Sequence, residues 1–272
     1  MDDFTVAESV DMKNQLVNIP VSARPQPDCF RDRTGNQLLP ENSQVYEQLK
    51  KTEDYAHQNG MIVNFKKTKM MLFNPGILRD FQPKFSLKKN EIDLVEETKL
   101  LGVVIRSDLS WSANTEYIVS RATKKLWFLR RLRVLGANED DLIDVYMKQI
   151  RSILEFAVPV WHSSLTGEDR ADIERVQKCA LQIILGSDYL SYTSALKDLG
   201  LETLFRRRQK LCLTFANKSY KNPKFNKWFK LNQRITVTRQ PGSKLVSVYS
   251  RTKRFEESPI SYITELLNRV MK

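Results

Sequence analysis

Residues 142–157, LIDVYMKQIRSILEFA, carry the clearest structural signal in the chain. Side chains of one face recur three and four residues apart, and they are Leu142, Val145, Tyr146, Gln149, Ile150, Ile153, Leu154 and Ala157. This spacing is typical of an amphipathic helix that buries one face. We therefore expect Ile150 and Leu154 in a helical core, and we expect Pro159 to end the helix.

The segments on both sides of this stretch show the same period. A helix that ends at Gly136 is predicted by Ile118, Ala122, Leu126, Leu129 and Leu132. Another helix, closed by Gly186, is predicted by Ile173, Val176, Ala180, Leu181 and Ile184. Further helices are predicted from Leu201 to about Ser219 and from Ile260 to Val270. Because such stripes need mutual burial, residues 112–219 should form at least three packed antiparallel helices.

The residues before 110 show shorter patterns that are bounded by turn-forming residues. Residues 42–60, NSQVYEQLKKTEDYAHQNG, predict a helix. Strands are predicted at 61–65 (MIVNF), 69–73 (KMMLF), 85–94 and 98–105 (TKLLGVVI). Residues 18–40 hold four of the ten prolines and predict a loop or insertion, whereas residues 221–257 predict irregular or weakly stranded chain. The expected fold class is α+β, with short strands first and an all-helical bundle after them.

The chain carries a formal net charge of +12, and its positive residues are concentrated. Between Thr203 and Phe255 there are fifteen lysines and arginines and no acidic residue. Residues 121–133, RATKKLWFLRRLR, also lack an acidic residue, and Trp127 within them is expected to pack in the core. Blocks of one charge repel themselves unless a polyanion neutralises them, so nucleic acid is the expected partner. The alternative is a solvated basic surface.

Several protein classes lack their signature residues here. No G-x-S-x-G, P-loop, G-x-G-x-x-G or C-x-x-C motif is present. The two histidines, His57 and His162, begin no H-x-D or H-x-E triplet, which excludes a two-histidine, one-carboxylate iron site. Cys179 and Cys212 lie in apolar helical patterns and are expected to be buried, reduced thiols, which fits a cytosolic or nuclear protein. No membrane span and no signal peptide are expected.

The remaining chemistry-bearing residues are Asp2, Asp3 and the lysines of NFKKTK at 64–69. Nucleotidyl transfer needs two or three carboxylates that hold a pair of divalent ions about 4 Å apart. A nearby lysine can neutralise the leaving phosphate. Adjacent aspartates at the tip of a β-hairpin suit such a site, although an Asp-Asp pair is also typical of a solvated acidic end.

Five segments carry a family resemblance, and they occur in the family's order. They are MDDFTVAES (1–9), HQNGMIVNFKKTKMMLF (57–73), TKLLGVVIRSDLSW (98–111), YMKQIRSILEFAVPVWHSSL (146–165) and DIERVQKCALQIILG (172–186). From Met1 to about Phe229 the chain resembles the C-terminal part of the reverse transcriptase of a non-LTR (LINE-type) retrotransposon. The first two segments are similar to palm motifs, with two aspartates and with N-x-x-K-T. The third is similar to the primer-grip hairpin, with Leu101 and Gly102 in its L-G step, and the last two are similar to thumb helices.

The resemblance implies three regions: a palm with a primer-grip-like hairpin at 1–110, a helical thumb-like domain at 111–220, and a basic extension with a terminal helix at 221–272. It implies that Asp2 and Asp3 hold Mg²⁺ and that Lys67 lies near the leaving phosphate. RNA or an RNA–DNA duplex is the implied partner. The residues implied to contact it are Lys124, Lys125, Arg130, Arg131, Arg133, Arg206, Arg207 and Arg208. The family's first catalytic aspartate and its fingers precede the segment matched here, so the chain alone is expected to be inactive and to hold Mg²⁺ weakly.

Two other functions stay open. The chain can be a non-catalytic helical domain that binds nucleic acid or protein, and such a domain would have no use for Asp2, Asp3 or Lys67. Residues 112–132, SANTEYIVSRATKKLWFLRRL, also resemble a short N-terminal segment of an alkylated-DNA-repair dioxygenase. The absence of the iron ligands argues against dioxygenase activity.

Overall fold

The computed structural model describes residues 44–73, 85–87, 90–231, 245–247 and 249–270. These residues are mostly helical and include a few short strands, which agrees with the expected α+β class. Contacts divide the chain into two units, Met1–Ser110 and Trp111–Lys272. The division into three regions, with a separate extension from residue 221, stays a prediction.

The first unit contains one helix and five short strands among its described residues. Helix α1 spans Gln44–Gln58, which confirms the predicted helix. Strand β1 (Lys69–Met70) pairs in parallel with β3 (Asn90–Leu94), and β2 (Phe85–Leu87) pairs antiparallel with β3. Strands β4 (Glu97–Leu100) and β5 (Val103–Arg106) form a separate antiparallel hairpin. The expectation of at least three strands before residue 110 is confirmed.

Three predicted strands differ from the structure in their extent. Residues 61–65 form no strand: Ile62 is exposed, and the carbonyl of Asn64 accepts hydrogen bonds from the backbone N–H groups of Lys67 and Thr68 in the turn that follows. The segment 69–73 is a strand only over its first two residues. Residues 85–94 form two strands in the register Leu87↔Asn90, because the chain reverses between them.

The fourth predicted strand, 98–105, is interrupted by a two-residue turn. Leu101 and Gly102 have φ of 47° and 87°, so they reverse the chain between β4 and β5. Leucine is uncommon in the left-handed region because its Cβ is crowded there, and the usual Asn-Gly or Asp-Gly turn signal is absent. Periodicity therefore predicts one strand at this position, whereas the family resemblance implies a hairpin. The side chain of Leu101 is exposed.

The second unit is a set of packed helices. Helix α2 spans Ser112–Val134, and α3 is a continuous run of Glu139–Val145, Tyr146–Arg151 and Ser152–Leu154. The next helices are α4 (Val158–Trp161), α5 (Gly167–Leu185), α6 (Tyr192–Asp198) and α7 (Leu204–Lys221). Helix α2 packs against α3 and α5, and α7 packs against α4 and α5. The predicted packing of at least three helices between residues 112 and 219 is confirmed.

The core of this unit lies where the predicted stripes meet. Ile150 and Leu154 of α3 are fully buried, as expected, together with Leu129 of α2 and Leu181 of α5. Each such side chain contributes about 1.5–3 kcal/mol when it is removed from water. Hydrophobic burial therefore holds α2, α3 and α5 together.

Two of the three cysteines lie among the described residues of this unit, and both are free thiols. Cys212 is buried, and burial raises the pKa of its thiol to about 12. Cys179 is half-buried rather than fully buried. The predicted burial is therefore confirmed for Cys212 and not for Cys179, and the reduced state of both thiols stays a prediction.

Helix α3 ends at Leu154, and the left-handed residue Ala157 precedes the next helix as its N-cap. The middle of α3, Tyr146–Arg151, is a π-helical segment, a rare conformation that occurs mostly as single turns inside α-helices. Ala157 has φ of 52°, and Pro159 lies in the first turn of α4. Proline is tolerated there because the first N–H groups of a helix have no intrahelical partner. The prediction that Pro159 ends α3 is therefore wrong, since this proline begins the next helix.

Polar side chains and glycines fix other helix ends. Thr166 and Asp169 form a capping box at the start of α5. Asn138 accepts a hydrogen bond from the backbone N–H of Asp141 at the start of α3. Gly136 and Gly186 follow α2 and α5 with φ of 83° and 57°, a conformation that glycine adopts readily. Both helix ends predicted from glycine are confirmed.

The C-terminal part of the second unit forms a smaller cluster. Its elements are a 3₁₀ segment (Pro223–Trp228), an isolated bridge between Leu231 and Leu245, α8 (Lys253–Glu256) and α9 (Pro259–Val270). Helix α9 packs against α7, and the cluster consists of Ala216, Phe229, Leu245, Ile263 and Leu267. The predicted terminal helix is confirmed. No helix in the described ranges is both long and apolar enough to cross a bilayer.

Candidate nucleic-acid interface

Helix α2 separates its apolar and basic side chains by helical phase. Its buried stripe consists of Ile118, Ala122, Leu126 and Leu129. Its exposed stripe consists of Lys124, Trp127, Phe128 and Arg131. Helical residues three and four positions apart lie on the same face, so the second set forms one surface. We call this surface the basic-aromatic face, and Lys125 and Arg130 are exposed beside it.

The two aromatic side chains of this face are in solvent. Trp127 is 68% exposed and Phe128 is 44% exposed. The prediction that Trp127 packs in the core is wrong, because it follows Leu126 and one residue turns a helix by about 100°. Large apolar side chains exposed together on a protein surface often mark a contact site.

The cations of the basic-aromatic face have no carboxylate partner within the described part of the chain. The ion pairs found there involve other side chains, among them Lys148, Arg175, Lys210 and Arg269. Lys124, Lys125, Arg130 and Arg131 therefore keep their full charge available for an external anion. The face is bounded in sequence by the acidic first turn of α3, which carries Glu139, Asp140 and Asp141.

Arg133, although it belongs to the same basic run, has a structural role. Its side chain is half-buried and donates hydrogen bonds to the carbonyl oxygens of Ile184 and Leu185, the latter at 3.3 Å. These carbonyls lie in the last turn of α5, where helical carbonyl groups lack intrahelical donors. The structure thus places Arg133 as a cap of α5, and this corrects its assignment as a nucleic-acid contact.

The three consecutive arginines at the start of α7 have three different environments. Arg206 is exposed. Arg207 forms a two-point ion pair with Glu155, in which Nη2 donates to Oε2 at 3.0 Å, and this hydrogen bonding raises the pKa of Arg207. Arg208 is fully buried, and burial lowers the pKa of its guanidinium. The assignment of Arg208 as a surface contact is therefore wrong, and Arg207 is already engaged by a carboxylate.

The helical period contains a signal that locates Arg208. Leu204, Arg208, Cys212 and Ala216 are spaced by four residues, and all of them are buried. A charged residue in phase with an apolar stripe is expected on the buried side of the helix. A run of arginines in sequence does not show this, because adjacent helical residues point in different directions.

The residues assigned to catalysis are only partly described. Asp2 and Asp3, the assigned Mg²⁺ ligands, lie outside the described residues. Lys67 is exposed in the turn between α1 and β1, where its backbone N–H donates to Asn64. Among the residues that the structure describes, no group of three or more His, Cys, Asp or Glu side chains could hold a metal ion.

The chain matches no protein-family model, no curated protein and no solved structure.

Proposed function

We propose that the second unit binds RNA or an RNA–DNA duplex through the basic-aromatic face of α2. The observation that carries this proposal is the exposure, on one helix face, of cations without carboxylate partners beside Trp127 and Phe128. From Lys124 to Arg131 the helix rises by about 10 Å at 1.5 Å per residue. A duplex presents one phosphate charge per roughly 1.7 Å of its axis, so the four cations meet a comparable density of negative charge.

The contacts expected from this face are to phosphates and sugars. Lysine and arginine on one side of a helix neutralise backbone charge and carry little sequence information. A-form helices are recognised largely by their shape and backbone, because their deep groove does not admit side chains. Trp127 and Phe128 add apolar surface on which a sugar or an unpaired base can stack. Because these contacts are to the backbone, we expect this face to bind RNA without sequence preference.

The more specific proposal is that this unit acts as the thumb of a non-LTR retrotransposon reverse transcriptase and holds primer and template for a palm. The order of the five sequence segments supports this, as does the hairpin at Leu101-Gly102. Joining the chain to a fingers–palm half from that family provides a test. Replacing the α2 cations should then shorten the extension products without changing the rate of the first addition. Equal product lengths would contradict a thumb-like role.

The binding proposal is tested by the salt dependence of RNA affinity. The variant replaces Lys124, Lys125, Arg130 and Arg131 with glutamine. The matched control replaces four other exposed cations with glutamine, and these differ from the first four in being ion-paired. They are Lys148, Arg175, Lys210 and Arg269. Each lost phosphate contact reduces the slope of log K against log salt by about 0.7–0.9, so the variant should lose about 3 from its slope and the control less than about 1. Equal losses, or binding that ignores salt, would contradict the proposal.

A protein partner is the second candidate for this face. Val134 and Leu135, just beyond Arg131, are also strongly exposed, and together with Trp127 they enlarge the apolar surface. A protein-binding face would depend on these apolar side chains more than on the cations. RNA affinity that changes neither in the four-cation variant nor in Trp127→Ala would favour this candidate.

A further inference from the structure

A second basic site is formed by residues other than those of the basic-aromatic face. It is a pocket of about 390 Å³, which is in the size range of small-molecule sites. Its walls come from α5, from Tyr192 of α6 and from the start of α7. Three of the lining residues are cations, namely Arg170, Lys178 and Arg208.

Arg208 is the unusual member of this group because its guanidinium is fully buried and forms no ion pair with a carboxylate of the described residues. The residue has no exposed surface, and its terminal nitrogens Nη1 and Nη2 have no hydrogen-bond partner in the structure. Only its Nε donates, to Nδ1 of His162 at 3.3 Å. A buried guanidinium with unsatisfied donors is costly, and native proteins rarely keep one without a reason. Among the described residues no acceptor pairs with these two nitrogens, and both are shielded from solvent.

The carboxylate nearest in this pocket is engaged elsewhere. Glu174 Oε1 accepts hydrogen bonds from the hydroxyl of Tyr192 and from the backbone N–H of Leu204, the latter at 3.1 Å. The same Tyr192 hydroxyl accepts from Gln177, whose side chain also accepts from the buried hydroxyl of Tyr146. This network from α3 to α7 fixes Glu174 at the first turn of α7. Glu174 therefore caps the helix, and it acts on Arg208 through its charge alone, without a hydrogen bond between the two side chains.

The rest of the pocket adds positive potential and aromatic surface. The guanidinium of Arg170 lies 5.9 Å from the ring centre of Phe205, and Nζ of Lys178 lies 5.2 Å from that of Tyr192. Thr203 and Phe205, at the N-terminus of the 18-residue α7, also line the pocket. The N-terminus of a helix is the positive end of its dipole. Two accessible cations, one buried guanidinium and a helix end thus surround one cavity.

We propose that this pocket binds a phosphate monoester, with the exposed cations Arg170 and Lys178 contacting the phosphate oxygens and with the buried charge of Arg208 adding positive potential beneath them. A doubly charged phosphate fits three cations opposed by one capped carboxylate better than a singly charged carboxylate would. Guanidinium groups bind phosphate oxygens through two parallel hydrogen bonds. The ligand is a free nucleotide or the 5′-phosphate at the end of a nucleic-acid strand, and both present the same group.

The experiment uses the full chain and measures thermal stability and calorimetric binding at constant ionic strength. The probes are inorganic phosphate, adenosine monophosphate, and an oligonucleotide with and without a 5′-phosphate. Inorganic phosphate and the nucleotide should both stabilise the protein against heat. Preference for the phosphorylated oligonucleotide over its unphosphorylated twin would assign the site to strand ends. Similar binding of both oligonucleotides, with nucleotide binding retained, would assign it to free nucleotides.

Arg208→Met separates a ligand-binding role from a structural one. Replacing a buried charge that forms no ion pair with an apolar side chain of similar length should leave the stability of the free protein unchanged or raised. The same change should weaken phosphate binding by about tenfold, because the positive charge beneath the phosphate is lost. The exposed neighbour serves as control, and Arg206→Met should change neither property. Phosphate stabilisation that persists in Arg208→Met, or that is absent from the unmodified protein, overturns the proposal.

Two further variants keep the test decisive if Arg208→Met fails to fold. Arg170→Met and Lys178→Met alter exposed side chains, so the fold should tolerate them, and each should weaken phosphate binding. Unchanged binding in both would overturn the site. The four-cation variant of α2 should bind inorganic phosphate as the unmodified protein does, so failure of this proposal is distinguishable from failure of the proposed nucleic-acid face.

Discussion

Helix α2 and the first turn of α7 both carry runs of cations, but they place them in different environments. In α2, Arg130 and Arg131 are exposed and have no carboxylate partner in the described ranges. In α7, Arg206 is exposed, Arg207 pairs with Glu155, and Arg208 is buried. The difference arises because the apolar stripe of α2 avoids its cations, whereas that of α7 includes Arg208. Local charge density alone therefore does not identify a polyanion-binding surface, because the helical phase of each cation decides its exposure.

The comparison also shows what each arrangement costs. Exposed cations stay hydrated, so the folded state loses little by having them. Arg208 is desolvated and is held by one hydrogen bond to a neutral histidine. Such a residue destabilises the fold unless an anion occupies the pocket. The α2 face thus resembles a surface for a large, mobile polyanion, and the α7 site resembles one for a single, fixed anionic group.

The largest expected effect tests which side chains of α2 are buried and which are exposed. Leu129→Ala removes a fully buried side chain and should lower the free energy of unfolding by roughly 2–5 kcal/mol. Trp127→Ala, two residues earlier, should change it by no more than about 0.5 kcal/mol because Trp127 is exposed. Chemical denaturation of both variants measures this. A loss for Trp127→Ala that equals the loss for Leu129→Ala would mean that Trp127 is packed and that the basic-aromatic face does not exist.

The next effect is a dependence of stability on pH that comes from His162, the hydrogen-bond partner of the buried Arg208. Burial, with Arg208 and Arg170 nearby, lowers the pKa of His162 to about 4, from about 6.5 in an unfolded chain. Between these values the unfolded state binds more protons, so stability falls as the pH falls. From pH 7 to pH 5 the loss attributable to His162 should be about 2 kcal/mol, measured by denaturation at each pH.

The control for this prediction is His162→Asn, in which the amide oxygen can replace Nδ1 as the acceptor for Arg208. This variant should lose much less stability between pH 7 and pH 5. An equal loss in both proteins would assign the pH dependence to other groups, and the contact between His162 and Arg208 would then carry no protonation penalty.

The sequence predicts the helices of the second unit well and its side-chain environments less well. Stripes such as Ile150 and Leu154 are predictable because burial follows helical period directly. The β4–β5 turn is not predictable from period, because Leu101 adopts a left-handed conformation that leucine rarely takes. The residue type of Trp127 favours burial, whereas its helical phase favours exposure. The partner of Arg207 could not be found either, since Glu155 is 52 residues away in sequence.

The smallest expected effect separates the two basic runs of α2 and α7 most directly, because it contrasts one arginine-to-glutamine change in each. Arg131→Gln should leave stability within about 0.5 kcal/mol of the unmodified protein, because the side chain is exposed and unpaired within the described ranges. It should reduce the salt slope of RNA binding by just under 1, the effect of one phosphate contact. Arg207→Gln should instead lower the stability and leave the salt slope of RNA binding as it is. It removes the closer of the two arginines that pair with Glu155, whose side chain is only 12% exposed, and should cost about 1 kcal/mol while the salt slope stays unchanged. Both quantities are measured on the same two proteins, so neither a general loss of charge nor a general loss of stability can imitate the pattern. A salt slope that falls equally in both variants would mean that Arg207 leaves Glu155 to contact RNA, and the distinction between the two basic runs would then fail.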